Sequence, residues 1–147
     1  MVNRIFFFTF FFLQLGKLDA QSELVSSEKI LKVTVYYIPK ESYVPISVNE
    51  TSIKSSNGTL KFDIIDSSCL MQIEKQIGNL RKFKATHNMR SIYLYCEVFY
   101  ENGFRDTISF ESANQGVIKI RQKMYQHSTL LESVLIACNP KIPAGAQ

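Results

Sequence analysis

The chain has 147 residues, of which 46% are hydrophobic and 20% are charged, and its formal net charge is +4. This length is enough for one domain with a hydrophobic core and excludes two such domains. Lys and Arg are interspersed with acidic residues, whereas nucleic-acid-binding proteins concentrate them on one face or stripe. The composition therefore argues against a nucleic-acid partner.

The first twenty residues have the pattern of a secretory signal peptide. A short basic start at Arg4 is followed by an apolar run over residues 5–15, and the small Ala20 precedes a possible cleavage site. A retained membrane anchor is the weaker alternative, because the run is about half of the ~20 residues that a membrane-spanning helix needs. No later stretch is long or apolar enough to span. We therefore expect a secreted or periplasmic protein whose mature chain has 127 residues and a net charge of +3.

The mature chain divides into three parts. Residues 21–29 are polar and predict a flexible lead-in, residues 30–139 predict a single α+β domain, and residues 140–147 predict a disordered tail. The domain begins with a strand over residues 31–38, in which β-branched and aromatic residues are frequent, and Pro39 ends it.

Residues 40–57 predict a long irregular connection with one helical turn near residues 48–54. A loop of that length inside a compact domain is unusual and often functional. It contains two N-glycosylation sequons, at Asn49 and Asn57. These are acceptors in a eukaryotic secretory pathway and ordinary turn residues elsewhere, so the sequence assigns no function to either.

A short second strand at residues 60–64 leads into the first helix. Asp66 or Ser67 can cap this helix by accepting a backbone N–H from its first turn. Its apolar residues fall at spacings of three and four, which places them on one face: Leu70, Ile73, Ile77 and Leu80. The run ends with Lys-Phe-Lys at residues 82–84, where the negative end of the helix dipole favours cations.

Residues 90–124 contain the clearest strand pattern and predict a β-meander. Apolar residues occupy every second position from Ile92 to Tyr100, and a similar alternation resumes after an interruption at Asn102-Gly103. A third strand is predicted over residues 117–125, with its basic residues facing away from its apolar side: Lys119, Arg121 and Lys123.

The hairpin between the first two meander strands can form in two registers. A two-residue turn would set polar residues of the second strand beside apolar residues of the first. A three-residue turn with Gly103 in the left-handed region pairs Tyr100 with Phe104 and sets Ile108 beside Cys96. We predict the second register, because it keeps one face apolar on both strands.

The last element is a second helix, for which residues 129–132 match a capping box. Thr129 would accept an N–H at the helix start while Glu132 reaches back to it. Asn139-Pro140 ends the helix, because proline cannot continue its hydrogen-bond ladder. Together the elements predict an α+β fold, an antiparallel sheet of about five strands with two helices packed on one face.

Three cysteines follow the leader. Export permits a disulfide, and the odd count leaves one thiol unpaired. Cys96 lies on the apolar side of a strand and is expected to pack as a small hydrophobic residue. Cys69 and Cys138 each lie near a helix end, so we predict the disulfide between them.

The predicted sheet face opposite the helices is the candidate binding surface. We predict a non-catalytic protein-binding module of the inhibitor, immunity or assembly-factor type, which acts through this face or through the connection over residues 40–57. Tyr and Arg are enriched in binding hot spots. The residues expected to bind a protein partner are aromatic and basic: Tyr93, Tyr95, Phe99, Lys119 and Arg121. The alternative is that such rows of side chains only stabilise an exposed antiparallel sheet.

Two other functions stay open from the sequence. One is a small exported hydrolase in which a carboxylate approaches His127, and the other is a carrier of a small ligand held between helices and sheet. His127 directly precedes Ser128, but no nucleophile-elbow motif is present, and a polar helix start explains both residues. No metal-binding spacing or Gly-rich phosphate loop occurs, so neither a metal nor a cofactor is expected.

Overall fold

A computed structural model describes residues 29–39, 47–84, 87–112 and 116–140. The predicted signal peptide, most of the predicted lead-in and nearly all of the predicted tail lie outside these residues. The described elements, in chain order, are β1 (Ile30–Tyr37), a 3₁₀ helix (Ser52–Lys54), β2 (Leu60–Ile64), α1 (Ser67–Gly78), β3 (Ile92–Tyr100), β4 (Arg105–Glu111), β5 (Val117–Ile120), β6 (Lys123–Gln126) and α2 (Thr129–Ala137). The 3₁₀ helix lies within the helical turn that the sequence predicts.

The six described strands form one antiparallel sheet in the order β2-β1-β3-β4-β5-β6. Both helices pack against the same face of this sheet and against each other, so the fold class is α+β as predicted. We call this the helix face, and the other side the open face. The core between sheet and helices is built from buried aliphatic and aromatic residues, among them Ile73, Leu94, Phe110, Leu131 and Leu135.

The sheet has one strand more than predicted, because residues 117–125 are not a single strand. They fold back on themselves, so that Ile120 pairs with Lys123 across a tight turn. Arg121 lies in this turn with a φ of +56°, in the left-handed region that few non-glycine residues adopt. Arg121-Gln122 lacks the Asn-Gly or Asp-Gly pattern that marks a hairpin in sequence, so the periodicity alone does not predict this turn.

The register predicted for the β3–β4 hairpin is confirmed. Gly103 has a φ of +82°, and the N–H of Tyr100 donates to the carbonyl of Phe104 at 3.0 Å. Cys96 lies opposite Ile108, as the three-residue turn requires. The need for one apolar face on both strands was therefore sufficient to choose between the two turns.

The strict alternation predicted for β3 is wrong at its first residues. The pairing with β4 shifts between Ile92 and Leu94, which is a β-bulge at Tyr93. Ile92 consequently belongs to the small cluster on the open face, whereas Leu94 lies in the main core. The bulge also turns Tyr93 towards the main core, although the sequence places it on the opposite face.

Helix α1 is shorter than its apolar pattern suggests. Asp66 is the N-cap and accepts the N–H of Cys69, but the helix ends at Gly78, a residue type with low helix propensity. The next segment is extended and adds to the edge of β6, because Phe83 donates to Met124 and Gln126 donates to Arg81. Residues 82–84 are therefore not at the end of the helix dipole, which corrects that prediction.

The predicted capping box of α2 is also wrong. Ser128 is the N-cap, and its hydroxyl accepts the N–H of Leu131 at 3.2 Å. Thr129 is the first helical residue, and the Glu132 carboxylate contacts His127. A capping role for Ser128 was the simpler explanation of the polar residues at this helix start, and the structure shows Ser128 as the cap.

A disulfide joins Cys69 in the first turn of α1 to Cys138 at the end of α2, the pairing expected from sequence. The Cα atoms of the two residues are 6.1 Å apart. Cys96 is the free cysteine of the chain and is buried in β3, where burial raises the pKa of its thiol. The two helices that cover the core are therefore covalently tied to each other.

Candidate functional site

The open face of the sheet is covered over part of its area by the segment 47–56, which includes the 3₁₀ helix. Ile53 of this segment is fully buried and packs with Tyr36 and Tyr95 in a second apolar cluster. Tyr95 is only 5% exposed. Tyr95 therefore lies on the predicted face but is not accessible to a partner, since the connection that precedes β2 folds over it.

Lys54 fixes the covering segment to the sheet. Its Nζ is 2.7 Å from a Glu97 carboxylate oxygen and lies 5.2 Å from the centre of the Tyr95 ring. The hydrogen bond to Glu97 raises the pKa of Lys54. No local pattern in the sequence indicates this contact, because Lys54 and Glu97 are 43 positions apart.

Lys119 lies on the open face as predicted, and it is engaged in an ion pair. Its Nζ is 3.0 Å from a Glu50 carboxylate oxygen, and that same oxygen accepts the hydroxyl of Ser109 at 3.0 Å. This group connects the covering segment to β4 and β5. Lys119 therefore holds the covering segment in place.

Phe99 is the predicted binding residue that the structure places on the part of the open face that segment 47–56 does not cover. It pairs with Lys32 of β1 on one side and with Arg105 of β4 on the other. Lys32 Nζ lies 4.5 Å from the centre of the Phe99 ring, and the Arg105 guanidinium carbon lies 4.6 Å from it. We refer to these three residues as the Lys32–Phe99–Arg105 row.

Two large apolar side chains are exposed at the same end of the sheet. Leu31, at an irregularity in β1, is 48% exposed, and Phe104, in the β3–β4 turn, is 46% exposed. They directly precede Lys32 and Arg105 in the chain. Leu31 therefore adds exposed apolar area next to Lys32 in the chain, whereas the Phe104 ring lies 6.1 Å from the Tyr100 ring and 4.9 Å from the Arg121 guanidinium, on the helix side of the sheet.

Tyr93 and Arg121, which the sequence assigns to the binding surface, lie elsewhere. Tyr93 packs against the core, and its hydroxyl is 3.4 Å from His127 Nε2. Arg121 lies in the β5–β6 turn and makes two hydrogen bonds to the carboxylate of Asp106, of 2.6 and 2.7 Å. Of the five predicted residues, the structure brings three to the open face and leaves one of them, Phe99, in an accessible cluster.

His127 lies in a group of polar side chains on the helix face. Its Nε2 is 3.1 Å from a Glu132 carboxylate oxygen, and its ring packs edge-on against Phe110. Burial, and then the neighbouring Glu132, raise the pKa of the Tyr93 hydroxyl. That phenol is therefore a hydrogen-bond donor at neutral pH, and the nearby Ser128 hydroxyl is already used as the helix cap.

The second histidine, His87, also contacts a carboxylate. His87 Nε2 is 2.6 Å from one oxygen of Glu111, whose other oxygen accepts the N–H of Arg90 at 2.9 Å. The Glu111 side chain is almost completely buried. This arrangement ties the segment before β3 to the end of β4.

The described part of the chain contains no group of three or more His, Cys, Asp or Glu side chains arranged to hold a metal ion. Among the same residues, no helix combines the length and the apolar character needed to cross a membrane. Neither protein-family models, curated proteins nor solved structures provide a match to this chain. Any function must therefore be argued from the surfaces themselves.

The raised pKa values of several tyrosines predict how the free energy of unfolding changes at alkaline pH. Burial raises the pKa of Tyr93, Tyr95, Tyr100 and Tyr125, and for Tyr100 the raised value is about 12, with Asp106 as the next cause. An unfolded tyrosine ionises near ~10, so the folded state retains protons that the unfolded state has lost. We expect the contribution of these tyrosines to the free energy of unfolding to be constant from neutral pH to about pH 10 and to fall as the pH rises from about 10 to 12.

Urea unfolding at a series of pH values from neutral to strongly alkaline tests this expectation. The variant Tyr100→Phe should lose less stability over the alkaline range than the wild type, because it lacks one of the groups that titrate. An identical decline in the two proteins would contradict the role given to Tyr100.

Proposed function

We propose that the chain is an exported, non-catalytic protein-binding module, of the inhibitor, immunity or assembly-factor type, that binds through the Lys32–Phe99–Arg105 row. The observation that carries the proposal is the row itself, in which an aromatic ring lies between two cations on neighbouring strands. Aromatic and Arg side chains are the residues that most often dominate protein–protein binding energy.

The row is already ordered before a partner arrives. Its three residues occupy opposed positions on β1, β3 and β4, and each cation is in contact with the same ring. Ordering a flexible side chain at an interface costs roughly 0.5–1.5 kcal/mol, so side chains that are held in advance lose less freedom on binding. The exposed Leu31 adds apolar area next to Lys32.

The two cations retain capacity for a partner. Lys32 has one carboxylate nearby, Asp63, at 3.9 Å between partly exposed groups, which is a weak interaction in water. Arg105 is exposed and has no ion-pair partner among the described residues. A contact with the face of a ring leaves guanidinium N–H groups free to donate to carboxylates. The row therefore favours a partner that presents acidic groups around an apolar centre.

Export is the second part of the proposal and has separate support. The leader pattern of residues 1–20 predicts a secretory signal, and the Cys69–Cys138 disulfide is compatible with an oxidising compartment. A partner would accordingly be sought in a secreted or envelope fraction.

The test combines capture with substitution in the row. Folded protein is used to retain partners from such a fraction, and the affinity of each purified partner is then measured for wild type and for Phe99→Ala. We expect at least a tenfold weaker affinity for the variant, about 1.4 kcal/mol, since the ring contributes contact area and also orders both cations.

Lys119→Ala is the matched control, because Lys119 is a basic residue of the same face whose charge is neutralised by Glu50. This variant should bind with nearly wild-type affinity. Circular dichroism and urea unfolding verify that each variant is folded. A partner that binds folded Phe99→Ala as tightly as wild type would rule out the row as its site.

A hydrolase remains the second candidate, for one specific reason. The hypothesis required a carboxylate near His127, and Glu132 lies 3.1 Å from its Nε2. If this is the function, His127→Gln should abolish hydrolytic activity of the purified protein towards ester or peptide substrates and leave partner affinity unchanged. Equal activity in wild type and variant would eliminate this candidate.

A further inference from the structure

The turn that precedes β2 presents one of the two sequons in an accessible form. Asn57 is exposed, and its side chain makes no hydrogen bond within the described part of the chain. Gly58 follows with a φ of +82°, which turns the chain towards β2. The hydroxyl of Thr59, the third residue of the sequon, donates to the carbonyl of Ile53 at 2.9 Å. The base of the turn is therefore fixed while the amide of Asn57 points into solvent.

The other sequon has a different role in the folded chain. The Asn49 side-chain oxygen accepts the N–H of Thr51 at 3.0 Å and the N–H of Ser52 at 2.8 Å. It thereby satisfies backbone donors of the turn that leads into the 3₁₀ helix, as the side chain of an Asx turn does. The Asn49 side chain is thus used inside the fold, whereas Asn57 lies in a turn and its side chain makes no hydrogen bond to the other described residues.

We propose that Asn57 is an N-linked glycosylation site. The donor is an oligosaccharide carried on a polyprenyl diphosphate in a secretory pathway, and the acceptor is Nδ2 of Asn57. A bond forms between Nδ2 and the anomeric carbon of the sugar, and the bond from that carbon to the phosphate oxygen breaks with its electron pair going to the oxygen. One proton of the amide nitrogen passes to the diphosphate or to solvent, and the polyprenyl diphosphate leaves. No oxidant or reductant is needed.

The position of Asn57 allows a glycan to coexist with a bound partner. Leu60, three residues after Asn57, pairs with Tyr37, whereas the Lys32–Phe99–Arg105 row lies near the other end of β1. Tyr37 and Lys32 are five positions apart, which corresponds to roughly 17 Å along an extended strand. A glycan at Asn57 therefore extends from the opposite end of the sheet.

The same position lies next to the edge of the sheet. β2 is the outermost strand on that side, and its first residue, Leu60, is exposed. An exposed strand edge can pair with the edge of another molecule, and proteins commonly cover or block such edges. A glycan three residues before β2 would obstruct this pairing. The modification would therefore hinder association through the edge of β2 even when no partner is bound.

The experiment expresses the full chain in a eukaryotic secretory host, with its own leader and, in parallel, with an established leader before Gln21. The secreted protein is digested with an endoglycosidase that leaves one N-acetylglucosamine on the asparagine, and peptides are analysed by mass spectrometry. The residual sugar is the readout because Asn-Gly sequences deamidate spontaneously, so that deamidation would not be diagnostic. We expect the sugar on Asn57.

Three variants complete the test. Asn57→Gln and Thr59→Ala each destroy this sequon and should both lose the modification, whereas Thr59→Ser keeps a hydroxyl and should retain it. Partner affinity should be the same with and without the glycan, because the two sites are far apart. Secreted wild-type protein that carries no sugar on Asn57 would overturn the proposal, whatever the state of Asn49.

Discussion

Replacing both Cys69 and Cys138 by Ala should lower the free energy of unfolding by about 4 kcal/mol. The two residues are 69 positions apart, so the bond restricts a large loop in the unfolded chain. The chain-entropy relation gives this magnitude for a loop of that length, and roughly 2–5 kcal/mol is the usual cost of losing a native disulfide from a small secreted domain. Since small domains are stable by only about 5–15 kcal/mol, the loss is a large fraction of the total.

Urea unfolding of the oxidised wild type and of the double variant measures this difference. Reduction of the wild type should bring its stability close to that of the double variant, whereas the same reductant should leave the double variant unchanged. The remaining thiol, Cys96, is buried in both proteins and does not contribute to the comparison. A change smaller than about 1 kcal/mol would show that the bond does not stabilise the fold in this way.

The parts of the fold that the sequence predicted correctly depend on local pattern. The β3–β4 register follows from the need to place Cys96 and Ile108 on one face, and the start of α1 follows from a capping residue, Asp66. In each case the deciding residues are close in sequence, or are related by the period of two that a strand imposes.

The parts that the sequence did not predict depend on contacts between distant residues. Helix α1 was expected to continue towards residue 84, but residues 81–83 instead pair with β6, more than 40 positions later. The bulge at Tyr93 and the left-handed Arg121 are also invisible in hydrophobic periodicity, and each changes the direction of a side chain. These two irregularities removed Tyr93 and Arg121 from the predicted binding surface.

The candidate site was predicted only in part for the same reason. Phe99 was identified correctly as an aromatic residue of the open face, but the strand pairing that brings Lys32 and Arg105 beside it was not predicted. Lys32 could have been found by extending the β3 register to the first strand, which needs the strand order β1-β3-β4. No local sequence pattern predicted that residues 47–56 would fold over Tyr95, since Ile53 is the single buried residue of the 3₁₀ helix in this segment.

Arg121, which lies off the predicted binding surface, is expected to have a large effect on stability. The Asp106 side chain is 7% exposed, and it accepts two hydrogen bonds from Arg121 and one from the hydroxyl of Tyr100. The hydrogen bond to Asp106 raises the pKa of the Arg121 guanidinium. Removing the arginine leaves a nearly buried carboxylate without its counter-charge.

We expect Arg121→Ala to lower the free energy of unfolding by about 2–3 kcal/mol. Breaking a fully buried ion pair costs roughly 3–5 kcal/mol, and the lower figure allows for the exposed part of the Arg121 side chain, which water and salt screen. The left-handed backbone at this position does not confound the result. Ala and Arg both carry a Cβ, so both meet the same steric cost at a φ of +56°.

A double-mutant cycle with Asp106→Ala isolates the interaction between the two side chains. If the carboxylate depends on Arg121, the double variant should be less destabilised than the sum of the two single variants, by about 1–3 kcal/mol. Arg121→Lys should recover only part of the stability, because an ammonium group keeps the charge but cannot make the paired hydrogen bonds of a guanidinium. Additive effects of the two single variants, or full recovery of stability by Arg121→Lys, would show that the paired hydrogen bonds between Arg121 and Asp106 do not stabilise the packing of the β5–β6 turn against β4.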